Sequence, residues 1–244
     1  MEVKSNESQK SDKSNETKDV FISKETIMRL LKDIKQLKKN PLTDNGIYYE
    51  HSGDEILSGK AMIIGPQDTP YENGYYFFKF KFPANYPFEP PIVKFCTCDG
   101  KTRFNPNLYI NGKVCVSILN TWRGEKWSGC QTISSILLTI CSLLNNDPLL
   151  NEPGISKLHP DNDPYQKIIT YKNIDHAILD SLESSYIHNN FPEFIESMKN
   201  SFENNKENIM KRIEQHHMNS KRKITLQTKI YNMNTKIDYN YLKL

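Results

Sequence analysis

The chain has 244 residues, 37% of them hydrophobic and 11% aromatic, which is enough for one full-sized domain with sizeable extensions, a core domain taking roughly 100 to 200 residues. A formal charge of +3 is too small a surplus to indicate a nucleic-acid partner, which requires a concentrated basic stripe. No segment reaches the about 18 apolar residues of a membrane span, and Met1 to Val20 has no signal-peptide stretch, so an intracellular site, cytoplasmic and also nuclear, and no membrane partner are expected.

Residues 1–20 are mostly Lys, Glu, Asp, Ser and Asn and cannot bury enough surface to offset chain entropy, so a disordered tail is expected. From Ser23 the pattern changes. Ile27, Leu30, Leu31, Ile34 and Leu37 recur at helical spacing, with Ser23 as cap and Pro41 past the end. The opposite face carries Arg29, Lys32, Lys35 and Lys39, which is either a solvated face or, at Lys32 and Lys35, a docking surface.

Residues 46–95 read as strands punctuated by Gly and Pro: Ile47 to His51, Glu55 to Ile64, Tyr75 to Phe82 and Ile92 to Cys96. In the third, Tyr76, Phe78, Phe80 and Phe82 alternate with Lys79 and Lys81, the period of a sheet with one buried face. An antiparallel sheet backed by helices, an α+β fold, is expected. The irregular run Asp99 to Gly129 is long enough to suggest function. Ile133, Ile136, Leu137, Ile140, Leu143 and Leu144 then mark a strong amphipathic helix. Further helices are expected near Asn173 to Tyr186 and Glu193 to Ile213, giving a core domain over 21–190 and a helical extension over 191–244. The one tight basic run, Lys221, Arg222 and Lys223, reads as a solvated loop.

Five cysteines, Cys96, Cys98, Cys115, Cys130 and Cys141, form an odd set without framework spacing, so reduced thiols are expected. Cys96 and Cys98 lack the two-residue gap of a zinc knuckle, and no metal is expected.

The stretch Phe104-Asn105-Pro106-Asn107-Leu108-Tyr109-Ile110-Asn111-Gly112-Lys113-Val114-Cys115 resembles the active-site segment of ubiquitin-conjugating enzymes, whose signature is His-Pro-Asn with the acceptor Cys eight residues after the Asn. Other family marks follow the expected order: Gly65-Pro66-Gln67-Asp68-Thr69-Pro70-Tyr71-Glu72-Asn73-Gly74, Phe82-Pro83-Ala84-Asn85-Tyr86-Pro87-Phe88-Glu89-Pro90-Pro91, and Trp127-Ser128. Arg103-Phe104-Asn105-Pro106-Asn107, Thr121-Trp122 and Asn151-Glu152-Pro153-Gly154 resemble the class Z members, and Tyr165 to Leu182 with Ile237-Asp238-Tyr239 look like that class's helical extension. Asn105 stands where the signature has His, and Gly129 where the family has Pro after Trp-Ser, in a loop many members use to touch ligases.

The resemblance implies a four-stranded antiparallel meander sheet with an amino-terminal helix, a central helix and carboxy-terminal helices. It implies Cys115 as the thioester acceptor for ubiquitin or a ubiquitin-like modifier, delivered by an activating enzyme and passed to a substrate lysine, usually with a ligase. Asn107 would stabilise the oxyanion or hold the loop, and Asp147 would orient the lysine. Phe88 and Ser128 would meet the ligase, although a buried aromatic is the other reading of Phe88. No cofactor is implied, ATP being consumed by the activating enzyme, and a monomer is expected.

These residue types suit the chemistry. A cysteine thiolate is both nucleophile and leaving group, as acyl relay between thiols demands. Attack by an amine places negative charge on the carbonyl oxygen, where a carboxamide donor typically contributes ~3 kcal/mol. A carboxylate beside the amine assists its deprotonation. Two rival readings remain: an inactive adaptor of the same fold that binds ubiquitin or a ligase, and a cysteine hydrolase pairing Cys115 with His159 or His176.

Overall fold

The computed structural model describes residues 21–219 and 223–242. The expected tail over 1–20, and Lys221 and Arg222 of the basic run, lie outside the described residues.

Helix α1 (Lys24–Lys39) begins at Ser23, whose hydroxyl accepts from the Thr26 amide, with Glu25 in the first turn and Lys38 and Lys39 in the last, as the helix dipole favours. Strands β1 (Ile47–His51), β2 (Ser58–Ile64), β3 (Tyr75–Lys81) and β4 (Ile92–Phe95) form an antiparallel meander in the order β1-β2-β3-β4. Helix α2 (Ile133–Leu143) carries a reciprocal capping box between Thr132 and Ser135. Helix α3 (Asn162–Lys172) runs into a π-helical segment, Asn173–Asp180, and a closing turn, α4 (Ser181–Glu183). Helices α5 (Ser185–Asn190) and α6 (Ile195–Asn219) follow.

Three expectations are corrected. The middle strands of the sheet, β2 and β3, are buried on both faces, whereas Ile92 and Lys94 of β4 stay exposed. Ala61, Ile63, Tyr76, Phe78 and Phe80 join Leu30 and Leu37 of α1 and Ile136 and Ile140 of α2 in the main core. On the other face Met62, Tyr75 and Phe77 pack with Ile174, Ile178, Phe191, Phe194 and Met198 in a second core. Lys79 does not mark a solvent face; its ammonium lies 5.5 Å from the Phe191 ring and donates to Asn190 at 2.7 Å.

The extension is also not wholly helical. After α6 come strands β5 (Ile224–Gln227) and β6 (Asn234–Ile237), paired antiparallel. Thr235 and Ile237 turn inward and Asn234 and Lys236 outward, a period-two pattern that serves a strand and not a helix. Ile237, Tyr239 and Leu242 belong to the second core with Met198 and Ile209, so α6 and the β5–β6 pair are built onto the sheet.

On α1, finally, Leu31 is 49% exposed, whereas Asp33 is buried and accepts from the Tyr86 hydroxyl at 2.6 Å. Arg29 leaves the expected basic face. It pairs with Asp33 at 3.0 Å and donates to the Gly129 carbonyl at 2.5 Å.

Candidate active site

The segment 104–116 folds back on itself as an irregular hairpin beside β4. Leu108 bridges Val114, Tyr109 donates from its amide to Lys113, and Gly112 closes the turn with its amide on the Tyr109 carbonyl. Gly112 has φ +88°, and a Cβ there would sit 2.7 Å from the Phe95 carbonyl oxygen, so glycine is required. The eight-residue separation of Asn107 and Cys115 is the register of this hairpin. The Cys115 amide donates to the Asn107 carbonyl at 2.8 Å, and the Asn107 side-chain amide donates to the Cys115 carbonyl at 2.6 Å.

Asn107 is therefore coupled to the backbone of the candidate nucleophile at two points. Its Nδ2 holds the loop, while its Oδ1 is buried with no partner among the described residues. An unpaired buried carboxamide oxygen costs about 1 to 3 kcal/mol. Cys115 is itself only 1% exposed in this conformation. Thr121 braces the strand that carries it, accepting from the Val116 amide at 3.0 Å and donating to the Val114 carbonyl at 2.9 Å.

Asn105, where the family signature has His, is fully buried and saturated. Its Oδ1 accepts from the Asn107 amide at 3.0 Å and from Asn151 at 3.3 Å; its Nδ2 donates to the Leu143 carbonyl at 2.8 Å and to the Tyr71 hydroxyl at 3.0 Å. A carboxamide thus ties the active-site loop to the end of α2 and to the turn Pro148–Asn151.

Asp147 is not joined to this pair. It is 46% exposed, forms an ion pair with Lys157 at 2.8 Å, and donates from its amide to Asn145. An exposed pair of this kind contributes ~0 to 1 kcal/mol. The hydrolase reading fails on position. His176 pairs with Asp180 at 2.9 Å and lines a cavity with Cys96 and Cys98, and His159 accepts from the Asp161 amide; neither is bonded to Cys115. Burial pushes the Cys98 thiol up to about 12 and raises those of Cys96 and Cys141, which keeps these three protonated.

The residues expected to meet partners split into two groups. Phe88 is 76% exposed, which settles it as a surface aromatic, and Ser128 is exposed on a neighbouring loop. The two loops are locked together: Trp127 Nε1 donates to the Pro87 carbonyl at 2.7 Å, and Arg29 of α1 reaches the Gly129 carbonyl. Lys32 and Lys35 are exposed on α1, and helical spacing puts them on one face with the exposed Met28 and Leu31. Asn151, Arg103 and Tyr231 have no role legible in the sequence because their partners lie far along the chain, and Thr121, bonded nearby to Val114 and Val116, carries no motif that marks it as a brace. Among the described residues no cluster of three His, Cys, Asp or Glu side chains is placed to hold a metal ion, and no helix is long and apolar enough to cross a membrane.

A four-stranded meander, helices on both faces and a cysteine hairpin paired to Asn107 define the ubiquitin-conjugating architecture, and the family model described as ubiquitin-conjugating enzyme matches residues 29–173. The chain belongs to the ubiquitin-conjugating enzyme family. Within it, ubiquitin-conjugating enzyme E2 Z of Danio rerio is 43% identical over 164 residues, covering 66% of this chain and 49% of the relative. The Homo sapiens E2 Z is 42% identical over 160 residues, covering 64% and 45%. A probable ubiquitin-conjugating enzyme, E2 R521 of Acanthamoeba polyphaga mimivirus, is 39% identical over 150 residues, covering 58% of this chain and 10% of the relative. The class Z likeness read from the motifs is borne out, and the chain spans about half the length of the E2 Z relatives.

Proposed function

We propose that the chain accepts ubiquitin or a ubiquitin-like modifier from an activating enzyme as a thioester on Cys115 and transfers it to lysine amines of substrate proteins, usually with a ligase. The observation that carries this reading is the reciprocal pairing of Asn107 with Cys115 across one hairpin. In the first step the Cys115 thiolate attacks the thioester carbonyl on the activating enzyme, and that enzyme's cysteine leaves. In the second a neutral lysine amine attacks, the carbonyl oxygen gains negative charge, the nitrogen gives its extra proton to a nearby carboxylate or solvent, and collapse expels the Cys115 thiolate as the amide forms. No cofactor enters, since ATP is spent upstream.

Asn107 serves the second step by fixing the loop around the acyl-sulfur bond, and its side chain is near enough to Cys115 to meet the oxyanion after a change of partner. Asp147 is the proposed lysine-orienting acid, reached once Lys157 gives way to the substrate amine. Phe88, Ser128 and the α1 face with Lys32 and Lys35 form the proposed ligase-facing surface, and the chain acts as a monomer. The inactive adaptor reading is disfavoured by Cys115 standing in frame.

A charging assay tests the reading: full-length protein, ATP, modifier and activating enzyme, resolved on non-reducing gels. The expected product is an adduct cleaved by thiol, and Cys115→Ser should give a thiol-stable ester in its place. Absence of any adduct with every activating enzyme and modifier would overturn the reading in favour of non-covalent ubiquitin binding.

A further inference from the structure

The tip of the β5–β6 hairpin reaches the active-site segment from the far end of the chain. Tyr231 lies over the Arg103 guanidinium at 4.7 Å, and Tyr109, from the cysteine hairpin, stacks on the same guanidinium at 3.3 Å. Held between two rings and only 9% exposed, Arg103 donates from Nε to the Asn105 carbonyl at 3.2 Å and from a terminal nitrogen to the Pro106 carbonyl at 2.6 Å. Those two carbonyls immediately precede Asn107. A guanidinium is suited to this because its planar fork stacks and donates at once.

The hairpin tip is bolted down on its other side as well. The Tyr231 hydroxyl donates to Glu152, the Ile230 amide donates to Asp161 at 2.8 Å, and Met233 sulfur accepts from the Arg103 amide at 3.4 Å. Glu152 follows Asn151, whose side chain reaches Asn105. A closed circuit therefore runs Tyr231, Arg103, Asn105, Asn151, Glu152 and back to Tyr231. Tyr231 itself has φ +61° and Asn232 φ +48°, left-handed conformations that a tyrosine rarely adopts without a compensating contact.

We propose that Tyr231 is a positioning residue for transfer: by clamping Arg103 it fixes the carbonyls of Asn105 and Pro106 and so the placement of Asn107 against Cys115. The inference rests on the conjugating-enzyme reading above. Neither Tyr231 nor Arg103 touches the reacting atoms. Charging exchanges one thioester for another in the company of the activating enzyme, whereas lysine transfer depends on this chain's own placement of Asn107. The second step is the one that loosening the clamp slows.

The test uses the full chain, charged and then chased with free lysine in single-turnover discharge, alongside initial charging rates and thermal melts. Tyr231→Ala is expected to slow discharge at saturating lysine by roughly tenfold, a modest part of what small misplacements of reacting groups produce. Charging should stay near wild type, and the melting temperature should fall by only a few degrees, since the Ile230 and Met233 contacts of the hairpin tip remain. Tyr231→Phe, which keeps the ring on Arg103, should recover most of the discharge rate, and Arg103→Lys, which loses the fork, should match Tyr231→Ala. Wild-type discharge by both Tyr231→Ala and Arg103→Lys would overturn the proposal. So would parallel losses of charging, discharge and melting temperature, which would reduce Tyr231 to a packing residue. Failure of the unmodified chain to charge at all would instead overturn the underlying reading.

Discussion

At the residue scale the active-site segment is governed by two asparagines with different tasks. Asn105 satisfies four partners at once, so its removal leaves several buried groups without theirs. Asn105→Ala should destabilise the protein by about 1 to 3 kcal/mol, read by denaturant unfolding. Asn107 donates a single side-chain hydrogen bond, to the Cys115 carbonyl, so its side chain contributes less to stability than Asn105 and more to transfer. Asn107→Ala is expected to slow lysine discharge by roughly a hundredfold while charging falls far less, the usual effect of losing one such donor. Equal losses in the two steps would remove Asn107 from the transfer step. His51 carries a further residue-level expectation. Burial lowers its pKa from 6.5, outweighing the opposing pull of the Ile56 carbonyl, and its ring is held between that carbonyl and the Tyr49 hydroxyl, each at 2.8 Å. The folded state therefore favours the neutral ring. Its contribution is fully present above the unfolded value of about 6.5 and is lost as pH falls through the lower folded value. Melting temperature should decline between pH 7 and 5, and a His51→Gln variant should show a shallower decline.

At the scale of elements, α2 is the clearest case. Its apolar positions repeat at helical spacing, and Ile133, Ile136, Leu137 and Ile140 are all fully buried in the main core. Leu137→Ala should cost about 2 to 5 kcal/mol in unfolding free energy, and a change within error would contradict that burial. Such elements were legible because one-sided burial leaves a period in the residue types. The start of α1 at Ser23, all of β1 and the spacing of Asn107 and Cys115 were legible for similar reasons: a cap, a strand period and a motif whose interval is a hairpin register. Asp33 was not, because its burial is licensed by Tyr86 and Arg29, and partners distant in sequence leave no periodic mark. The helix from Asn162 begins earlier than its apolar pattern suggests. Its π-helical segment shifts the register midway, so that Ala177 falls in the main core while Ile174 and Ile178 fall in the second. Gly74 and Asn173 show the same limit. A Cβ on Gly74 would lie 1.9 Å from the Asn173 carboxamide oxygen, which accepts from Tyr76 at 2.5 Å, an arrangement only the fold discloses.

At the scale of the whole molecule, the middle strands of the sheet have two covered faces, and the second cover is made by the carboxy-terminal elements. Phe77 of β3 lies 4.9 Å from the ring of Phe191 and 6.5 Å from that of Phe194, and Met198 and Ile209 of α6 complete the same core. The β5–β6 hairpin closes it through Ile237 and Tyr239 while its tip reaches Arg103, so one extension links the outer face of the sheet to the active-site loop. Elements sharing a core of this kind unfold together. The full chain should therefore show a single cooperative transition followed alike by far-ultraviolet circular dichroism and by tryptophan fluorescence, the latter reporting from Trp122 and from Trp127, which packs against the main core. Phe191→Ala, at a fully buried ring, should cost about 3 to 5 kcal/mol and move that whole transition down by roughly 6 to 20 °C. Phe77→Ala should do the same, and the double variant should cost less than the sum of the two, because the rings are each other's neighbours. An extension that folded as its own unit would behave differently: Phe191→Ala would split the melt into an early helical step and a later one at the unmodified temperature, with the tryptophan signal following only the second.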